Sequence, residues 1–363
     1  MLLGLMGVLL ASSVADVFLP SEDALGAGDE NGDGAAAPEA ASHGDFLADT
    51  HESSLNSGAD ILDSATEPAS KLSDVPQGAP SGQGDSSYPD LLDDEFISSD
   101  IPPLTPLDYF LDADDDGDQL AGGAGDDTLL GGAGDDWLDG LGGDDEIFGS
   151  DGDDTLIGGA GDDTVDGGDG NDSILGGSGR GLLIGGDGND TVIGGESDDI
   201  LFGGQGDDTL QGGWGNDVLF AGEGNDLLMG GSGNDTLVGY SLDGDGNDID
   251  GADFLNGGDG DDVLILGSGD MASGGSGGDT FVLGAWIDPE EIAQISDFEP
   301  GVDTLTIAYD GQGEAPDVST EYDEEAGGLV VYIDGEPVAF LAGVETLDPD
   351  SVTLRAVDGG SDS

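Results

Sequence analysis

The chain has 363 residues, with 83 Asp or Glu against 3 Lys or Arg, for a net charge of -80. Such a chain repels itself and needs counter-ions; with almost no cations to meet phosphates, nucleic acid is excluded as a partner and anionic membrane surfaces are disfavoured, and divalent cations become the natural partners. Cysteine is absent, so no disulfide framework holds the fold, and the 72 glycines recur periodically, which signals a repeat architecture rather than disorder.

Residues 1–19 open on the apolar run Met1-Leu2-Leu3-Gly4-Leu5-Met6-Gly7-Val8-Leu9-Leu10, interrupted by Asp16. The run is shorter than the roughly 20 apolar residues a membrane span requires, so no transmembrane span is expected. Ser13-Val14-Ala15 offers a small-residue cleavage site, yet no Lys or Arg precedes the run, leaving a cleaved leader and an uncleaved apolar N-terminus as alternatives. Residues 20–121 are rich in Asp, Glu, Ser, Ala, Gly and Pro and read as a disordered acidic linker. Within it, Pro89-Asp90-Leu91-Leu92 and Leu107-Asp108-Tyr109-Phe110-Leu111 are candidates to cap the first coil of a repeat array that starts at Gly122.

Residues 122–282 form that array. Sixteen nine-residue units run in register from Gly122 to Ile265, with the consensus Gly-Gly-x-Gly-(Asp/Asn)-Asp-x-(apolar)-x, as in Gly203-Gly204-Gln205-Gly206-Asp207-Asp208-Thr209-Leu210-Gln211. An eight-residue stretch, Leu266–Ser273, and a last nonapeptide, Gly274–Val282, complete it. So short a period predicts a coil of short strands joined by glycine turns. Position eight is apolar in fifteen of sixteen units, Gly246 being the exception, which supplies one inward side chain per strand. Strands of about three residues and turns of about six then give two strands per 18-residue coil, and eight coils rising roughly 38 Å at about 4.8 Å each.

Position six is Asp in fourteen units and Gly at Gly181 and Gly244. Units 18 residues apart stack, so Asp127 meets Asp145 and Asp208 meets Asp226. Carboxylates so placed repel unless a cation lies between them, and a hard divalent ion with oxygen ligands fits, helped by carbonyls of the glycine turns. Ten complete pairs remain once Gly181 and Gly244 are discounted. One apolar side chain per unit does not offset the ordering of nine residues rich in glycine, so the array is expected to be unfolded until calcium binds.

These residues resemble the RTX, or haemolysin-type, calcium-binding repeat family. The resemblance implies an all-β, right-handed parallel β-roll solenoid with Ca2+ between successive turns. It makes Asp127, Asp136, Asp145, Asp154, Asp163, Asp172, Asp190, Asp199, Asp208, Asp217, Asp226, Asp235, Asp253 and Asp262 the metal ligands. Arg180-Gly181 puts a cation where the acid belongs and should weaken the neighbouring sites, and Gly239–Asn256 keeps its length but loses the glycine pattern, which marks a local excursion.

Residues 283–363 carry larger apolar residues, with strand-like runs at Thr304–Ile307, Leu329–Ile333, Val338–Leu341 and Val352–Leu354 and an Asp334-Gly335 turn. They read as a β-rich C-terminal cap. Asp297-Phe298-Glu299-Pro300-Gly301-Val302-Asp303 is similar to the segment that succeeds the roll in serralysin-like proteins, which implies an uncleaved C-terminal secretion signal and a type I ABC exporter as partner. The plainer reading is a capping strand pair.

No enzyme is expected. The only histidines, His43 and His51, lie in the acidic linker without a His-Glu-x-x-His pattern, there is no Cys nucleophile, and no Gly-x-Ser-x-Gly elbow joins a strand to a helix. Trp137, Trp214 and Trp286 are scattered; outward placement of Trp137 and Trp214 makes an extracellular polysaccharide or surface a candidate partner. The sequence thus points to a secreted, extracellular or surface-associated calcium-binding protein with a structural or adhesive role, the alternative being an accessory or remnant module of a secreted enzyme system.

Overall fold

A computed structural model describes residues 109–112, 117–243, 246–311 and 314–357. The apolar N-terminus, the acidic linker up to residue 108 and both histidines lie outside the described residues. The described part is a parallel β-solenoid in which successive strands alternate between two sheets, one of twelve strands and one of thirteen. The only helical element among the described residues is a 3-10 turn at Pro349–Ser351, and none is a helix long and apolar enough to cross a membrane.

Each unit places its strand over positions seven to three of the next unit. Thr209–Trp214 is typical, pairing in parallel with Thr191–Glu196 on one side and Leu227–Ser232 on the other. The strands are therefore six residues long rather than three. The glycines at positions one and two keep pairing with the adjacent coil (Gly195 with Gly213, Gly213 with Gly231), so only positions four to six form the turn. Position two adopts a positive φ that suits glycine, 125° at Gly204, yet Leu141 (72°) and Ser150 (88°) are held there as well.

Position eight points inward without interruption. Leu129, Leu138, Ile147, Leu156, Val165, Leu183, Val192, Leu201, Leu210, Leu219, Leu228, Leu237, Leu255 and Leu264 are all fully buried, and they join one core cluster that runs on into Phe281, Ile295, Leu305 and Leu341. This strip between the two sheets supplies the apolar contribution to stability.

The sixteen units do not all stack. Leu227 pairs with Phe254 and Thr236 with Val263, 27 residues on rather than 18. The chain leaves the stack between the strands Thr236–Gly239 and Phe254–Asp259 for the length of one unit, Gly239–Asn247 in the sequence count, although Gly239 itself still pairs with Leu266. It is the unit that lacks both the position-six acid (Gly244) and the position-eight apolar residue (Gly246), so it can add neither to the acidic edge nor to the inward apolar strip. The regular spacing of eight 18-residue coils is thereby corrected. Spacing then drops to 17, with Phe254 beside Met271 and Val263 beside Thr280, because Leu266–Ser273 is one residue short.

The stack also extends beyond the repeats. Phe110–Asp112 and Gln119–Ala121 pair with the first repeat strands, ahead of Gly122. At the other end Thr304–Asp310 and Val352–Val357 continue one sheet. Ala293–Ile295 continues the other and pairs in parallel with Glu336–Ala342, to which Gly328–Ile333 and then Val318–Asp323 add antiparallel. The hairpin turn at Asp334 (φ 53°) and Gly335 (φ 88°) has the two positive φ angles that an Asp-Gly turn provides.

Candidate metal centre

Position-six side chains line the two edges where the chain passes between sheets. One edge holds Asp127, Asp145, Asp163, Asp199, Asp217, Asp235 and Asp262; the other holds Asp136, Asp154, Asp172, Asp190, Asp208, Asp226 and Asp253. All fourteen are between 1% and 3% exposed. Each turns back toward the preceding coil, where its Oδ1 accepts the backbone N–H of that coil's position-six residue. Asp127 donates to Asp145 and Asp208 to Asp226, both at 2.7 Å. Across the looped-out unit the rule survives at the longer spacing: Asp226 donates to Asp253 and Asp235 to Asp262, both at 2.8 Å. Those partners replace the 18-residue ones expected from the sequence.

The second oxygen has no such bond. In thirteen of the fourteen, all but Asp163, Oδ2 is buried with no hydrogen-bond partner. A buried carboxylate oxygen left unpaired is costly. Beside it, in eleven of those thirteen, lies a gap kept open by the glycine at position one; Ala221 and Asp248 take that position in the units of Asp226 and Asp253. A Cβ on Gly131 would stand 2.5 Å from Asp136 Oδ2 and 2.7 Å from the Gly149 carbonyl oxygen of the next coil. A carboxylate oxygen and a carbonyl oxygen facing one side-chain-free gap, repeated along each edge, are the donors that a hard divalent cation takes. The donor set fits calcium.

Position five supplies an internal comparison. Its side chains are exposed and reach the opposite way, accepting the N–H of the next coil, as Asp126 does from Asp144 at 3.0 Å. Both positions thus need one acceptor. Position five is Asn at Asn171, Asn189, Asn216, Asn225 and Asn234, but position six is never Asn. An amide would satisfy the ladder; only the second, charged oxygen requires Asp.

Without a cation, carboxyls along both edges resist ionisation. Burial, reinforced by neighbouring carboxylates and opposed by the donated N–H, pushes Asp163 and Asp226 up to about 6 and Asp208 to about 8. Asp172, Asp199, Asp217, Asp235 and Asp262 rise to about 7. Burial and the Asp270 carboxylate drive Asp253 to about 10.

Arg180 does not occupy the acid's place. It sits at position five, on the surface, where its guanidinium meets Asp162 Oδ2 at 2.9 Å. What is missing is the carboxylate at Gly181. Accordingly the Asp163 N–H goes to the Arg180 carbonyl oxygen at 3.0 Å, and no carboxylate borders the space beside Gly176.

Three ladder members escaped the sequence reading. Asp270 accepts from Asp253, Asp279 from Asp262 and Asp303 from Asp279, each at 2.9 or 3.0 Å. Each stands two residues before a buried apolar residue (Ala272, Phe281, Leu305), the same Asp-x-apolar tail that marks the regular units. Asp303 also closes the Asp297–Asp303 segment: its Oδ2 accepts the Glu299 N–H, Phe298 is buried near Phe281, and Asp297 accepts from Ser273 Oγ, Gly274 N and Gly275 N. Trp137 and Trp214 are 38% and 62% exposed, whereas Trp286 stacks on Tyr240 and donates to the Leu266 carbonyl oxygen.

The RTX calcium-binding nonapeptide repeat family matches over residues 112–147, 148–183, 175–210, 184–219, 211–249 and 250–270. No curated protein matches the chain. Among solved structures, a hyperactive, Ca2+-dependent, β-helical antifreeze protein from an Antarctic bacterium is similar at 20% identity, over 60% of this chain and 86% of that one, with a TM-score of 0.38. The AlgE6R3 subunit of the Azotobacter vinelandii mannuronan C5-epimerase is similar at 22% identity, over 46% and 83%, with a TM-score of 0.19. The extracellular lipase LipA from Serratia marcescens is similar at 19% identity, over 46% and 40%, with a TM-score of 0.21. Likenesses at this level carry nothing about function. Residues 112–270 are an array of RTX calcium-binding nonapeptide repeats, a repeat that binds Ca2+.

Proposed function

We propose that the position-six aspartates are the side-chain ligands of the array and that calcium drives its folding outside the cell, where the solenoid serves a structural or adhesive role in the extracellular matrix or at the cell surface. The observation that carries the reading is the row of thirteen buried, unpartnered Oδ2 atoms, eleven of them beside a position-one glycine gap. At the low calcium level of a cytosol these oxygens stay uncompensated and the chain stays open; at the roughly 10⁻⁴–10⁻³ M affinities of extracellular modules the exterior supplies the ion. That ordering suits export of an unfolded chain through a type I exporter. A non-enzymatic role agrees with a repeat that spends its acids on equivalent positions rather than on one cleft. The exposed Trp137 and Trp214 offer flat faces to a polysaccharide.

Circular dichroism of the full chain during a calcium titration tests the folding step. A β signal that rises with calcium and vanishes in chelator is expected; a signal indifferent to chelator would overturn it. Export tests the rest: secretion that needs a co-expressed ABC exporter and residues 283–363 is expected, and retention in the cell would remove the extracellular role.

A further inference from the structure

The looped-out unit returns to the stack through Asp248-Ile249-Asp250-Gly251-Ala252-Asp253, which replaces the glycine-rich turn of a regular unit. In regular coils the position-four glycine donates its N–H to the position-three carbonyl of the next coil, as Gly206 does to Glu223 at 2.7 Å and Gly215 to Ser232 at 3.0 Å. At Gly224 that carbonyl is replaced by a side chain: Gly224 N–H donates to Asp250 Oδ1 at 2.7 Å. Acids at position three elsewhere, such as Asp151, Asp187 and Glu223, are exposed. Asp250 alone among them turns inward, and its Oδ2 is left buried and unpartnered.

It does not stand alone. The Asp226, Asp250 and Asp253 carboxylates each place an oxygen within 4.8 Å of the others. Asp226 and Asp253 are 3% and 1% exposed, and the Oδ2 of each has no partner. Three carboxylates converge where a regular site has a pair, and no Lys or Arg stands nearby in sequence, the three being Lys71, Arg180 and Arg355.

We propose that Asp250 joins the ladder pair Asp226 and Asp253 in a three-carboxylate calcium site, tighter than the other repeat sites, that fastens the looped-out chain back to the stack. Affinity for calcium rises with ligand charge and with rigidity. Here the charge is one unit higher than at a repeat pair, and the third ligand is held by its own ladder bond to Gly224. The inference rests on the reading that position-six carboxylates bind calcium.

Calcium titration calorimetry of the full chain separates the two ideas. The wild type is expected to show one tight binding event ahead of a weaker class. Asp250→Asn keeps an oxygen to accept from Gly224 and removes only the charge, so the tight event should weaken on the order of tenfold, the effect of about 1.4 kcal/mol. The weaker class and the calcium-saturated β signal should remain. Glu223→Gln, at the exposed equivalent position, should leave the tight event in place. A single class of sites in the wild type, or an unchanged tight event in Asp250→Asn, overturns the proposal. Loss of every site in Asp250→Asn also overturns it, since Asp250 would then serve only as a structural acceptor. No calcium binding by the wild type would instead defeat the underlying reading of the repeat sites.

Discussion

Calcium should reverse the direction in which pH acts on this fold. In the calcium-free solenoid, burial raises Asp172, Asp199, Asp217, Asp235 and Asp262 from the ordinary 3.8 to about 7. A group whose folded value is raised favours the fold fully at pH below the unfolded value, and that contribution is lost as pH climbs through the folded one. Ionising one such carboxyl at neutral pH costs the fold about 4 kcal/mol, three units at about 1.4 kcal/mol each. Two or three of them match the whole stability of an ordinary domain, about 5–15 kcal/mol. The calcium-free chain is therefore expected to lack its β signal at pH 7.5, to gain it as pH falls toward 4, and to lose it again on return through pH 6–8. With millimolar calcium the slope inverts, because the bound form needs ionised oxygens and protons compete with the metal. Far-UV circular dichroism from pH 3.5 to 8, with and without calcium, reads both curves. Parallel curves, or a calcium-free fold insensitive to acid, would refute the reasoning.

Four substitutions probe the edges and the strands between them. Gly131→Leu drives a branched side chain into the gap between Asp136 Oδ2 and the Gly149 carbonyl, beyond the lone methyl that Ala221 carries at position one; calorimetry should find about one calcium fewer, with the rest retained. Gly181→Asp restores the missing ladder carboxylate, its Cβ meeting Leu183 at 3.2 Å and Asp199 Oδ1 at 3.3 Å, a fit that asks only small shifts; stoichiometry should rise by about one ion. Ser150→Gly relieves a φ of 88° and should raise stability by about 1 kcal/mol in calcium-saturated urea unfolding, whereas Thr155→Gly, in the same unit with ordinary φ, should lower it.

How far the sequence could be read depended on whether a residue repeats. The solenoid, its inward position-eight strip and the acidic edges all come from a pattern stated sixteen times, so each copy corrects ambiguity in the others. Strand length was misjudged because glycine reads as a turn residue, whereas Gly195 and Gly213 pair within the sheet. The looped-out unit was hidden for a different reason: Gly239–Asn247 is nine residues long, so counting keeps perfect register while the stack skips it. Its missing acid and missing apolar residue were the signal, and weighing them above length would have paired Asp226 with Asp253. Asp270 and Asp303 escaped because a shortened unit and a long connection break the period, although the Asp-x-apolar tail persists. Asp250 could not have been found at all, since an inward turn at position three depends on a hydrogen bond across coils.

Diffraction from crystals of the calcium-saturated chain, with anomalous scattering from the metal, tests the central claim most directly. The account predicts a peak beside the Oδ2 of successive position-six aspartates along both edges, with a break at Gly181. Peaks confined to the exposed position-five acids, or an ordered solenoid with no metal at either edge, would contradict it.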